Sequence, residues 1–205
     1  MDQCRFRPGR WLPVMLLLFA FPASAHAHTT IQGMGDFVSG LIHPLRTPAH
    51  VLLILGLGLL AGQQPPETLK TLLLAFVPLS AIALALTTTG WSTTVYPPVV
   101  IALALGAGAL VALERPIPRA ACAALFGAAA LAIGFDSAVE AGSNAAVIKT
   151  LLGTWVSLVV LVFDLAIYAA FGLKKKWLQV GIRILGSWIV AISLLVLAFS
   201  LRRRQ

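Results

Sequence analysis

Apolar residues run almost unbroken through six stretches of this chain, at 36–61, 69–87, 95–113, 120–140, 147–172 and 177–201. Each is close to the ~20 residues that a helix needs to cross a bilayer. Polar and turn-forming residues punctuate them: Gly62 to Pro66, Thr87 to Ser92, Arg115 to Arg119 with two prolines, Gly142-Ser143-Asn144, and Gly172 to Lys176. A seventh apolar run lies inside residues 1–27, behind Arg5, Arg7 and Arg10 and ahead of Ala23-Ser24-Ala25-His26-Ala27. Basic front, apolar centre and small-residue end form the pattern of a secretory signal, with cleavage after Ala25 or Ala27. The pattern predicts an all-α, polytopic membrane protein: a cleavable leader at 1–27, then one bundle of six transmembrane helices in 28–205.

Composition agrees with that architecture and narrows the function. Of 205 residues, 59% are hydrophobic and 11% charged, and the mean hydropathy is +0.93, values incompatible with a water-soluble surface. Removing the leader takes away three arginines and Asp2, so the charge falls from +8 to about +6, spread over short connections. Such scattering implies no nucleic-acid partner. Cys4 and Cys122 lie in the leader and mid-segment, which leaves no disulfide framework or zinc knuckle.

A cleaved leader places the mature N-terminus outside the cytoplasm, and Lys70, Arg115, Arg119 and Lys174 to Lys176 then fall in cytoplasmic connections of a bacterial inner membrane. The Arg202 to Arg204 tail breaks this rule, because six crossings return it to the outside. Alanines at 120, 124, 128 and 132, with Gly58 and Gly62, are spaced for close helix packing.

Ionisable groups inside apolar segments are costly and therefore mark sites. His43 and His50 open the first segment, seven residues apart and nearly two turns along one stripe, with Pro44 and Pro48 between them loosening the backbone. Two neutral imidazoles suit a divalent transition metal. Their alternative is to hydrogen-bond a neighbouring helix. Asp136 and Glu140, four residues apart in the fourth segment, share a helical face at a similar depth and complete a nitrogen–oxygen donor set; otherwise they are solvated in the headgroup layer. Asp164, inside the fifth segment, is either a deeper ion relay or a neutral acid bonded across helices, with Arg183 as a partner. His26 and His28 at the mature start offer outer capture of copper(II) or nickel(II), or form an incidental polar terminus.

Signal peptide, histidine at the mature start, six helices and the His43-Pro44 motif resemble the HupE/UreJ nickel permeases, accessory proteins of hydrogenase and urease. That family's first-helix pattern is HPxxGxDHxxxMxxVG. His43, Pro44, His50 and Gly58 fit it, while Thr47, Ala49, Ile54 and Leu57 replace its glycine, aspartate, methionine and valine. A later FHGxAH stretch reads here as Phe135-Asp136-Ser137-Ala138-Val139-Glu140, with acids at both histidine places. The resemblance implies uptake of nickel or cobalt for metalloenzyme maturation, with the ion as cargo and no permanently bound cofactor. A non-transporting assembly module is the alternative. An enzyme is not expected, because the acid pair has no accompanying nucleophile or HExxH sequence.

Overall fold

A computed structural model describes residues 35–89, 97–115, 117–139 and 142–202. The expected leader, with His26 and His28, lies outside the described residues, as do Glu140 and Arg203 to Gln205. The described chain is all helical: α1 (Asp36–Arg46), α2 (Pro48–Gly62), α3 (Pro66–Thr87), α4 (Pro97–Leu113), α5 (Arg119–Asp136), α6 (Asn144–Gly172) and α7 (Lys176–Arg202).

Four helices, α3, α5, α6 and α7, are long and apolar enough to cross a membrane, and α1 with α2 make a fifth span if the bent pair counts as one. Pro98–Leu113 is a shorter apolar helix. The protein is a multi-pass membrane protein.

The first apolar segment corrects the expectation of one continuous helix. It breaks at Thr47, and its halves bend by 79°. Proline explains both the break and its repair. Pro48 has no N–H for the Pro44 carbonyl and sits at the first position of α2, where that loss costs nothing. Pro44, inside α1, cannot donate to the Gly40 carbonyl, and the hydroxyl of Thr154 on α6 is shared between that carbonyl, at 3.2 Å, and the Thr150 carbonyl of its own helix, at 3.0 Å. Thr150 one turn earlier donates to the Asp36 carbonyl, also at 3.2 Å.

This seam needs backbone against backbone. A Cβ on Gly40 would stand 2.0 Å from the Thr150 carbonyl oxygen, and one on Gly153 would stand 2.2 Å from that of Phe37. Glycine is required at both places because the helix axes approach too closely for any side chain.

Helix α2 runs through the middle of the bundle, apolar all round, with Leu53, Leu57 and Leu60 fully buried. It packs on α4 and α6, while α3 pairs with α5 and α4 with α7. Gly58 and Gly62 meet Leu165, Ala166 and Ala169 of α6, as their spacing predicted. The alanine stripe of α5 is buried only at its end: Ala120, Ala124 and Ala128 are exposed and Ala132 is buried, on a buried face that includes Cys122, Phe126, Ala129, Ala130 and Ile133. Phe126 accounts for this rotation, since turning a large ring inward against Phe76 of α3 leaves Ala120, Ala124 and Ala128 on the outer face.

Gly153→Val is expected to prevent α1 from seating on α6, lowering folded yield and the thermal midpoint of detergent-solubilised protein by several degrees. Gly106→Ala, which adds a methyl into open space, is the control expected to leave both unchanged.

Candidate functional site

The bend of the first span, not the helical period, brings its histidines together. Seven residues along a straight helix advance by about 10.5 Å, yet the His43 and His50 ring centroids are 6.0 Å apart, tilted at 60°. His43 stands one residue before Pro44 on α1 and is half-buried; His50 is the third residue of α2 and fully buried.

Asp136 closes the arrangement from a third helix. It is the last residue of α5, and the His50 Nε2–H donates to its Oδ2 at 2.8 Å. Gly134 sets this reach: a Cβ there would lie 2.4 Å from Ala83 Cβ, so α5 can press its final turn against α3 only without a side chain. Ser137, the C-cap, turns its hydroxyl back to the Ile133 carbonyl at 2.7 Å and ends the helix immediately after the acid. The expected helical relation between Asp136 and Glu140 therefore stops at its first member, and Glu140 lies outside the described residues.

Burial makes the pair energetically important. A carboxylate at the negative end of α5 is unfavourable, but the His50 contact sets it beside the positive end of α2. His50 Nδ1 is buried and has no hydrogen-bond partner among the described residues. With Nε2 donating to Asp136, Nδ1 is the ring nitrogen left for a further partner.

The structure thus brings together His43, His50 and Asp136 of the sequence candidates. They do not form a ready cage, since among the described residues no three His, Cys, Asp or Glu side chains converge closely enough to hold a metal ion.

Asp164 is a correction. It lies on the exposed side of α6, while Val162 and Ala166 beside it are buried. Leu165 packs on Gly58, eight residues beyond His50 and so about 12 Å further along α2. Arg183 does not answer it either: that guanidinium lies 3.7 Å from Glu114 and donates to the Ala112 carbonyl at 3.2 Å. Sequence reasoning passed over this second polar cluster, in which Gln179 also donates to Glu114. Its signal was present: Gln179 and Arg183 are four residues apart on one face of an otherwise apolar helix. The hydroxyls of Thr87, Thr88 and Thr89 return to carbonyls three residues back and close α3, as capping groups do.

Asp136→Ala is expected to orphan the His50 N–H and cost about 1–3 kcal/mol, read as a lower thermal midpoint in detergent. Asp136→Asn, which keeps an acceptor oxygen, should lose less than half as much. Equal stability of the alanine variant and the unaltered protein would show that the bond contributes nothing.

Comparison with curated proteins and with solved structures found no match. The family model described as HupE / UreJ protein, however, matches residues 14–196. This range takes in all of α1 to α6, the broken span with His43 and His50, and most of α7. The chain belongs to the HupE/UreJ family.

Proposed function

We propose that this protein takes up a divalent transition metal, nickel or cobalt, into the cell for metalloenzyme maturation, and that His43, His50 and Asp136 form its station in the membrane. Membership of the HupE/UreJ family supports the class of cargo, since that family implies nickel or cobalt supply to hydrogenase or urease. The observation that carries the residue assignment is the buried His50–Asp136 pair with a second imidazole 6.0 Å away.

Its dimensions suit exchange of a proton for an ion. Two donors about 2.1 Å from a metal at a right angle stand about 3 Å apart, and the His50–Asp136 separation is 2.8 Å. Displacing the proton that His50 Nε2 shares with Asp136, while Nδ1 carries the proton that keeps the ring neutral, and turning the imidazole so that its Nε2 lone pair meets the ion would make the two side chains adjacent ligands. His43, whose ring centroid is 6.0 Å from that of His50, then serves as the third donor by a change of its own side chain, since α1 is held against α6. The substitutions relative to the family pattern are complementary here: Ala49 lacks the carboxylate beside the second histidine, and Asp136 supplies one from α5. A harder donor set follows, with two nitrogens and an oxygen, which lowers discrimination against other divalent ions.

On this reading the station faces the outer side of the inner membrane, because Lys70, Arg115, Arg119 and Lys174 to Lys176 gather at the opposite end. His26 or His28 acts before it as a capture point, and Glu140 extends the acid set. Asp164, on the outward face of α6, has no place in the path. The protein performs no covalent chemistry, and an ion gradient or a partner supplies the energy.

One observation favours the second reading, a non-transporting assembly module. The His50–Asp136 bond joins α2 to α5 without any metal, so the polar pair can serve as a structural pin.

The two readings separate on metal accumulation in intact cells. His43→Ala with His50→Ala is expected to reduce nickel or cobalt uptake at least tenfold at equal protein level, whereas His43→Ala alone should spare stability while lowering uptake. Full uptake by the double variant would leave the structural pin as the surviving role.

A further inference from the structure

The end of the bundle remote from the histidines holds a cavity of about 430 Å3, lined by Gln63, Gln64, Thr68, Glu114, Arg115 and Arg119 among others. Gln63 follows His50 by thirteen residues, so this cavity lies about 20 Å further along the axis of α2. It is a separate site, and nothing in the metal reading bears on it.

Its charge is positive and uncommitted. Arg115 and Arg119 line it and have no carboxylate partner among the described residues. The one acid in the wall, Glu114, is already held by Arg183 and Gln179 of α7.

Two helix N-termini open at the same place. Helices α3 and α5 begin after Pro65 and Pro118, and neither start has a side-chain cap. Proline cannot provide the side-chain oxygen with which serine, threonine or aspartate satisfies the first backbone N–H groups. The earliest amides that bond within these helices are Leu69, to Pro65, and Ala121, to Pro118. Those of Glu67, Thr68, Arg119 and Ala120 remain as donors. Glu67 is exposed and is not part of the cavity wall.

The independent mark of a ligand is Thr68. The residue lines the cavity and is only 2% exposed, and its hydroxyl makes no hydrogen bond to another described residue. A buried hydroxyl normally bonds, and in a helix the carbonyl one turn back is within reach. Here no such bond forms, which leaves the hydroxyl to a partner in the cavity that the residue lines.

We propose that this cavity binds a net-negative phosphate group, held by Arg115 and Arg119, the Thr68 hydroxyl and the uncapped N-termini of α3 and α5. Paired guanidinium forks supply charge and planar donors, and helix N-termini supply aligned N–H groups. The same chemistry is offered by an anionic phospholipid headgroup at this face of the membrane and by free inorganic phosphate.

The test uses the full-length protein in two arms. In nanodiscs, thermal unfolding is compared between phosphatidylcholine alone and phosphatidylcholine with phosphatidylglycerol; in neutral detergent, inorganic phosphate is compared with chloride at equal ionic strength. The unaltered protein is expected to gain several degrees in at least one arm. A gain with phosphatidylglycerol alone assigns the headgroup, and a gain with phosphate alone assigns the free ion. Arg115→Gln with Arg119→Gln should weaken the effective probe about tenfold or more, and Thr68→Val should weaken it severalfold. Lys174→Gln with Lys175→Gln should leave it unchanged. Thr68→Val preserves shape and so decides the matter if the arginine variant does not fold. No stabilisation in either arm, undiminished stabilisation in Thr68→Val, or an equal loss in the lysine variant would overturn the proposal.

Discussion

A single hydrogen bond that a helix cannot make for itself organises this bundle. Pro44 removes the donor that the Gly40 carbonyl would have had, and in hydrocarbon an unsatisfied carbonyl is expensive. Thr154 reaches it from α6, and one turn earlier Thr150 adds a second contact across the seam, to the Asp36 carbonyl. That repair is possible only where glycines let the two backbones touch, which is why Gly40 and Gly153 face the contact. Once α1 is pinned to α6, the bend at Thr47 is held, and with it the position of His43 over the start of α2.

The bend converts a linear motif into a site. On an unbroken helix the two imidazoles would stand two turns apart along one face, each facing its own neighbour. The bend brings their rings to 6.0 Å from one another, and at the end of α5 Asp136 reaches His50. Local cost is distributed sensibly: the carboxylate at the wrong end of its own helix finds the right end of another, and the buried imidazole gains an acceptor. Among the described residues His50 Nδ1 is one of the buried polar atoms without a hydrogen-bond partner, as is Ser193 Oγ on α7, and such an atom calls for an explanation.

At the other end the polar residues follow a different logic. Glu114 occupies a left-handed backbone conformation at φ 50° just after α4, a conformation that costs a non-glycine residue of order 1–3 kcal/mol. Its bonds to Gln179 and Arg183 of α7 hold it there and join the two helices. Holding the acid in this way leaves Arg115 and Arg119 as the unneutralised charge beside two uncapped helices. The two ends of the molecule therefore offer opposite chemistry, nitrogen and carboxylate donors for a cation at one and arginines with open amides at the other.

Hydropathy alone determined that the chain is a membrane bundle, and the turn residues placed five of its helices within a few residues of their ends. This legibility has a physical cause: lipid demands uninterrupted apolar helices, and glycine, proline and charge mark where they stop. The candidate donors His43, His50 and Asp136 were legible too, because ionisable residues stand out against an apolar background. What tertiary structure alone decided is direction. Periodicity could not show that the first span folds at Thr47, since a proline in a helix is compatible with a gentle kink or a sharp break until α6 supplies the bond that settles it. Nor could it show that α5 turns Phe126 inward and Ala120, Ala124 and Ala128 out, or that Asp164 lies on the outer side of α6; in a helix apolar on every face, the choice of buried side belongs to the neighbours it packs against.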